Sequence, residues 1–297
     1  MLLRTYNGFH ELVSNTMSYL DRIQTCNNFD PTDYRGLLID GEIYGQVQPD
    51  FAEHLREWAE LFTVTADAVR LNPALLDYHE RTLAVAPVFQ ELHARGVIDS
   101  WVGEAYPVTH AFGATAQMEV ERAATNFLGV KSFGIHLNGL VRKADGIHVW
   151  VATRSRDKPF WPGKLDQMVA GGQPVGLGLL DNVVKESQEE ANIPAALARQ
   201  AQAVGTVSYR QAGWRGLDNS TIYIYDLWLP EDFEPENTDG EVLQFELLPL
   251  VEIARMTETT DDFKDNCNLV NIDLLLRMGV ITPQHPEYSA IHAALTR

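Results

Sequence analysis

The stretch 170–194, AGGQPVGLGLLDNVVKESQEEANIP, constrains this chain more than any other, because it gathers three glutamates on one short helix behind a double glycine. From Leu179 the apolar positions Leu180, Val183, Val184 and Ala191 recur at helical spacing and predict one buried stripe that also takes in the polar Ser187. Pro194 ends the helix, and Asn192 suits the left-handed conformation in which helices often finish. Glu186, Glu189 and Glu190 stand at i, i+3 and i+4, so their carboxylates collect away from most of that stripe. Like charges at this spacing oppose a helix by roughly 0.2–0.5 kcal/mol per pair. Such a group is either a solvated acidic face or a site for a hard divalent cation, which takes oxygen ligands and bridges carboxylates to phosphates.

Lys185-Glu186-x-x-Glu189-Glu190, a short loop after Gly171-Gly172 and followed by a turn residue and Ile193, resembles the Nudix box of the Nudix hydrolases. In that family the pattern is G-x5-E-x7-R-E-U-x-E-E-x-G-U, with U aliphatic. Here Lys185 replaces the arginine, Ser187 an aliphatic residue, Asn192 the last glycine and Leu177 the first glutamate. Lysine is a point charge and cannot hold a carboxylate by two parallel bonds as arginine does. The likeness extends beyond the box. GIHLNGLV at 134–141, then WPGKLDQMVAGG at 161–172 leading into the box, is similar to the Nudix branch with an N-terminal DUF4743 domain. That branch includes the Nudix part of fungal thiamine pyrophosphokinase fusions and related plant proteins, and the K-E form of the box without the first glutamate matches it.

The resemblance implies a Nudix α/β/α sandwich with a mixed sheet over 126–297, preceded by a smaller α+β domain over 1–125. It implies a Mg²⁺-dependent diphosphate hydrolase, with Mn²⁺ as the other metal, acting on thiamine diphosphate or its oxidised or damaged analogues. The products are the monophosphate and inorganic phosphate. Glu186, Glu189 and Glu190 would bind the metal with a carbonyl near Gly171, and Lys185 would orient Glu189 or a neighbour. A further acidic residue is expected later in the fold as base or extra ligand, with Glu241 the candidate and Glu246 the fallback; a plain surface carboxylate is the alternative for either. Two other functions stay open: hydrolysis of nucleotide-linked diphosphates such as a nucleotide sugar or dinucleotide, and ligand sensing on a Nudix fold without turnover.

The remaining chain is read from its residues. Its 297 residues, 45% hydrophobic and 22% charged, describe a globular protein. A net charge of −18 argues against nucleic acid or an anionic membrane as partner, since those call for clustered Lys and Arg. The small-molecule diphosphate partner survives that test, because a bound metal inverts the local charge. A homodimer is left open. Cys26 and Cys267 make no disulfide framework, and the amino terminus turns polar too early for a signal peptide, so a cytoplasmic setting is expected.

Within 1–125 the first lysine has yet to appear, and a helix is expected over 9–26 with Val13, Met17, Leu20 and Ile23 inward. A hairpin turns at Asp40-Gly41, helices follow over 51–61 and 75–95, with Pro87 breaking or kinking the second, and a helix-like link spans 117–128. The histidines here, His10, His54, His79, His93 and His110, are scattered and read as structural or surface residues. Strands are expected over 133–141 and 147–153 around Asp145-Gly146, then 166–170, 204–209 and 222–229, a short helix over 195–202, an apolar run at 245–250, and a helix over 269–278. Arg154, Arg156 and Lys158 form a basic cluster near the box that suits a diphosphate, the alternative being a solvated loop. Trp161, Tyr209 and Trp214 are the aromatic residues open to stacking on a heterocycle, although strand aromatics more often serve the core.

Overall fold

The computed structural model describes residues 17–158 and 160–295. Its first helix, α1 (Tyr19–Thr25), is closed by a Ser18 capping box and buries Tyr19, Arg22 and Ile23. The expected start of this helix and Val13 lie outside the described residues, and Leu20 and Met17 are half-buried. The helix does not join the core of the unit that follows it. Tyr19 Oη donates to Ala254 O at 3.2 Å, and Arg22 Nε donates to Thr257 O at 2.9 Å, which fixes α1 on the C-terminal half of the chain.

The N-terminal unit then begins with the hairpin β1 (Arg35–Ile39) and β2 (Glu42–Val47). Asp40 and Gly41 take φ of 51° and 85°, the left-handed pair that a two-residue hairpin loop needs. After α2 (Pro49–Leu55), strands β3 (Phe62–Val64) and β4 (Ala68–Leu71) complete a sheet of order β2-β1-β4-β3, with β1 and β4 parallel. Helix α3 (Tyr78–Ala94) runs unbroken through Pro87. The carbonyl that Pro87 leaves without an N–H donor belongs to Leu83, an exposed residue on the solvent side of the helix. A second hairpin, β5 (Ala105–Val108) and β6 (Met118–Glu121), precedes α4 (Thr125–Leu128). The helix expected over 117–128 is therefore strand in its first part, Met118–Glu121, and helical in its second, a 3-10 turn over Arg122–Ala124 running into α4. Met118 and Val120 point into the core while Glu119 and Glu121 stay at the surface, the period of two that a strand imposes. One apolar cluster, including Leu37, Val69, Phe89, Leu92 and Met118, holds this unit together.

The larger sheet starts with β7 (Lys131–Lys143) and β8 (Gly146–Arg154), whose register closes on Lys143 opposite Gly146. Short strands β9 (Leu165–Gln167) and β10 (Val169–Gly172) bend apart at Met168, β9 pairing with β8 and β10 with β7. Helices α5 (Leu179–Ala191) and α6 (Ala195–Ala198) follow, then the long hairpin β11 (Gln202–Gly213) and β12 (Gly216–Trp228), then β13 (Val242–Pro249). The strand order β11-β12-β7-β8-β13 is mixed, β12 running parallel to β7. Helices α7 (Leu250–Thr259), α8 (Asp265–Arg277) and α9 (Tyr288–Leu295) close the chain. One face of the sheet packs Ile135, Leu137 and Val169 against Val183, Val184 and Ala191 of α5. The other packs Leu140, Val149 and Ile224 against α7, α8, α9 and α1 through Ile253, Val270, Leu274, Ile291 and Ile23. Helices on both faces of a mixed sheet make the α/β/α sandwich.

Candidate active site

Helix α5 ends as its sequence dictates. Asn192 sits at φ 50°, ψ 34°, its N–H and that of Ile193 return to Ser187 O, and Pro194 cannot continue the helix. Val183, Val184, Ser187 and Ala191 face the sheet. Leu180, expected in that stripe, is exposed instead, while its neighbour Leu179 is the first-turn residue that packs on the core. The three glutamates are graded by their angle around the helix, at roughly 100° per residue. Glu189 is farthest from the stripe with 45% of its side chain exposed, Glu186 is intermediate at 14%, and Glu190, beside Val183, is buried.

This gradient sets the electrostatics. Lys185 Nζ lies 3.1 Å from Glu186 Oε1 and 2.7 Å from Glu189 Oε2, so one ammonium ties the two outer carboxylates together. Burial raises the Glu186 carboxyl, partly offset by Lys185. Glu186 also packs on Gly171, where an added Cβ would come within 2.5 Å of its Cδ and push the carboxylate aside. Glu190 has no ion pair among the described residues. Its Oε2 accepts one bond, from Ala170 N at 2.8 Å, and burial pushes its pKa well above the ordinary value, with Glu186, Asp166 and Glu241 adding to the effect.

A narrow cleft brings Glu190 together with Arg154, Lys158, Asp166 and Glu241. Glu241 reaches it because Ser155 N holds the Glu241 carbonyl at 2.8 Å, and its carboxylate is ion-paired with Lys158. Glu246 lies on the exposed side of β13, outside the cleft. Arg154 is not open to a phosphate: Nη1 donates to Asp166 Oδ2 at 2.8 Å, Nη2 to Phe160 O at 3.0 Å and Nε to Trp161 O at 3.2 Å. Its guanidinium therefore shapes the 155–161 loop. Arg156 is exposed and has no ion pair among the described residues. Trp161, at φ 53°, is part-exposed and its side chain does not line the cleft. Tyr209 is a core residue whose hydroxyl donates to Asp218 at 3.0 Å, and Trp214 is exposed at the β11–β12 turn against Phe127, so neither stacks at this site.

Two neighbouring groups were not evident in the sequence. The first centres on Asp166. Its Oδ2 takes Arg154 and, at 2.9 Å, Lys264 Nζ from the start of α8, while Oδ1 accepts from Gln167 N at 3.0 Å and Cys267 Sγ at 2.9 Å. Burial alone would raise this carboxyl, but Lys264, His136 and Arg154 hold it well below the usual range. His136, buried and bonded through Nδ1 to Gln167 Oε1 at 2.6 Å, is lowered to about 4 by burial and by Lys264. His136, Asp166 and Cys267 present ligand atoms within 4.8 Å of one another, yet two cations already neutralise the carboxylate, so this is an internal strut. Nothing in the spacing of residues 136, 166, 264 and 267 announces it.

The second group comes from the N-terminal unit. A Cβ on Gly172 would lie 1.8 Å from Tyr106 Oη and 3.0 Å from Arg122 Cζ, and Val175 N donates to Ala105 O at 2.9 Å. The β5–β6 hairpin thus presses on the glycine pair and holds the loop that leads to α5. Arg122 is secured by Glu104 at 2.9 Å, and its charge and that of Glu186 act on each other.

Glu186 and Glu190 act on each other on the inner side of the helix, with the Gly171 backbone packed on Glu186, whereas Glu189 points outward with Lys185; the three do not bring ligand atoms within 4.8 Å of one another as His136, Asp166 and Cys267 do. A set of hard oxygen donors whose most buried carboxylate has no ion pair suits a hard divalent cation. Comparisons with known proteins bear on the same region. Residues 18–132 match a family model described as a domain of unknown function, DUF4743. Over 293 residues, 95% of this chain, the sequence is 39% identical to Nudix hydrolase 24, chloroplastic, and 37% identical to Nudix hydrolase 20, chloroplastic, both from Arabidopsis thaliana, with 78% of each relative covered. Among solved structures, a MutT protein from Methanosarcina mazei Go1 is 16% identical with a TM-score of 0.37, covering 48% of this chain and 94% of that one.

Proposed function

This chain belongs to the Nudix hydrolases, a family of pyrophosphohydrolases, and from that membership we propose that it removes the terminal phosphate of thiamine diphosphate, or of its oxidised or damaged analogues, with Mg²⁺ as the metal. The observation that carries the reading is Glu190, buried at the floor of the cleft with Glu186 next to it and without an ion pair among the described residues. Support for the thiamine class comes from the DUF4743 match and from the box variant that resembles that branch.

Glu186, Glu189 and Glu190 would hold the cation, with the Gly171 carbonyl beside them. When bound, it supplies charge neutralisation at the phosphoryl oxygens and a water of lowered pKa. Lys185 keeps Glu186 and Glu189 in a fixed relation through its two ion pairs. Glu241, on the opposite wall, is the carboxylate that would take the water's proton. Arg156, exposed and without an ion pair among the described residues, is the cation that would meet the diphosphate first; Lys158 would have to share with Glu241, and the Arg154 donors are already used. Mn²⁺ would occupy the same oxygen set. We take a reducing compartment such as the cytosol as its setting, a reading supported by Cys26 and Cys267 being free and buried.

The test is a substrate panel in Mg²⁺: thiamine diphosphate, its oxo derivatives, ADP-ribose and NADH, with released phosphate and monophosphate measured separately. Inorganic phosphate from the thiamine compounds is the expected result. Nucleoside monophosphate from ADP-ribose or NADH alone would move the assignment to nucleotide-linked diphosphates. Tight binding of any of the four without products would identify a sensor.

A further inference from the structure

We propose that the cleft between the N-terminal unit and the near end of the large sheet is a second binding site, for a small phosphate-bearing anion. The cavity encloses about 170 Å³ and shares no residue with the cleft that holds Glu190. None of its lining residues is acidic, in a chain of net charge −18.

The sheet itself builds the cationic wall. Lys131 on β7 stands beside Asn219 on β12, and Asn219 stands beside Arg210 on β11, so the three side chains form one lateral row across adjacent strands. Lys131 and Arg210 have no ion pair and no side-chain hydrogen bond among the described residues, whereas most arginines of this protein are paired. The two like charges work against each other: burial and the nearby Arg210 both lower the Lys131 pKa. The Arg210 guanidinium rests over the Phe29 ring, 5.8 Å from its centroid, which orients it without neutralising it. An anion placed between the two cations would remove the repulsion and accept charge-assisted hydrogen bonds from both.

The opposite wall belongs to the N-terminal unit. Tyr44 and His110 stack there with centroids 4.1 Å apart at 20°, and Glu42 Oε2, whose residue does not line the cavity, lies 3.3 Å from both His110 Nε2 and Tyr44 Oη. A flat ring attached to the phosphate would have an aromatic surface to lie against. Because the two walls come from different parts of the chain, a ligand bound here bridges the N-terminal unit and the sheet.

The experiment is calorimetric titration of the full chain in EDTA and low salt, with inorganic phosphate and AMP as separate probes. EDTA removes any metal that would draw a phosphate to the acidic cleft. Saturable binding of at least one probe with one-to-one stoichiometry is expected, weakened about tenfold or more by Lys131→Gln and by Arg210→Gln, and unchanged by Glu190→Gln. AMP binding more tightly than phosphate, with the advantage lost in Tyr44→Leu, places the ring on the Tyr44–His110 pair; equal affinities place recognition on the phosphate alone. No saturable binding of either probe, or binding indifferent to both cation variants, would overturn the proposal. Backbone amide exchange of the unmodified chain gives a second reading: ligand must protect the ends of β7, β11 and β12, and unchanged exchange with probe bound also overturns it.

Discussion

Asp166 and Glu190 line the same cleft, each almost wholly buried, and their carboxyl groups are driven in opposite directions. The difference lies in their company. Asp166 receives Lys264, Arg154, a backbone N–H and the Cys267 thiol, so its charge is compensated before any ligand arrives. Glu190 receives a single backbone N–H. Burying a carboxylate costs several kcal/mol unless it is paired, so Asp166 serves the fold, whereas Glu190 stores a cost that a bound cation would relieve. Equal burial in one cleft therefore separates a strut from a binding group once the partners are counted.

The strongest way to break this comparison is Glu190→Gln. If Glu190 is a metal ligand, kcat should fall about 1,000-fold, or about 4 kcal/mol in the barrier, while the fold persists. The metal-free variant should also lose a pH dependence. The folded-state pKa of Glu190 is raised above the unfolded value of about 4.3, so its protonation favours the fold. That gain is complete below the unfolded pKa and fades as pH rises through the folded one. Melting temperatures of the metal-free wild type should accordingly rise on acidification over this window more than those of the variant. Mg²⁺ should stabilise the wild type and not the variant. Parallel melting curves for the two proteins, with and without metal, would remove Glu190 from the site.

The converse change, Asp166→Asn, should act on stability first. It leaves Lys264 and Arg154 facing a neutral amide in the interior, at a cost of about 3 kcal/mol at neutral pH, read from urea unfolding. The sign with pH is opposite to that of Glu190. The Asp166 carboxyl is depressed in the folded state, so its contribution is present above the unfolded pKa of about 3.9 and disappears as pH falls through the folded value. A variant as stable as the wild type would mean that the two cations are satisfied elsewhere.

A smaller effect is expected at Lys185, whose ammonium is favoured by Glu189 and Glu186 despite the burial that opposes it. Lys185→Gln should lower kcat/KM about tenfold by releasing the two carboxylates, with little change in stability because Lys185 and Glu189 are exposed. Lys185→Arg should restore the rate. Equal loss in both variants would argue that the lysine contributes something other than charge and position.

How far these parts can be read from the chain depends on whether their residues are local. The box helix, its Asn192 end and the β7–β8 strands follow from short-range spacing and lie within a few residues of the expected bounds, whereas β11 and β12 run on past theirs to Gly213 and back to Gly216. Helices α7 and α9 escaped because α7 starts directly at Pro249, where a strand's period of two changes to a helix's 3.6 without a turn signal between them. In the link at 117–128 the Ala-rich end is helical as expected, and its pattern masks the alternation of Met118-Glu119-Val120-Glu121 just before it. The Asp166 strut joins residues about 100 positions apart, and the contact of Tyr106 and Arg122 with Gly172 crosses between two units. No local pattern records either.

Ser187 applies the same reasoning to a neutral group, on the helix that carries Glu190. It is fully buried on the sheet-facing side of α5, and its hydroxyl has no partner among the described residues. It stands where the box pattern has an aliphatic residue, so the helix keeps a polar atom in an apolar interface at a cost of about 1 kcal/mol. Ser187→Ala removes that atom, and alanine is also the better helix former, which acts in the same direction. The variant should therefore melt about 2 °C higher and unfold at a higher urea concentration, with kcat unchanged because the side chain faces the core rather than the cleft. A gain in stability with full activity would separate the apolar face of α5 from its acidic face as two independent functions of one helix. A loss of stability would mean that the hydroxyl has a bonding partner, such as a buried water, and that Glu190 is the one under-partnered polar group in this part of the helix.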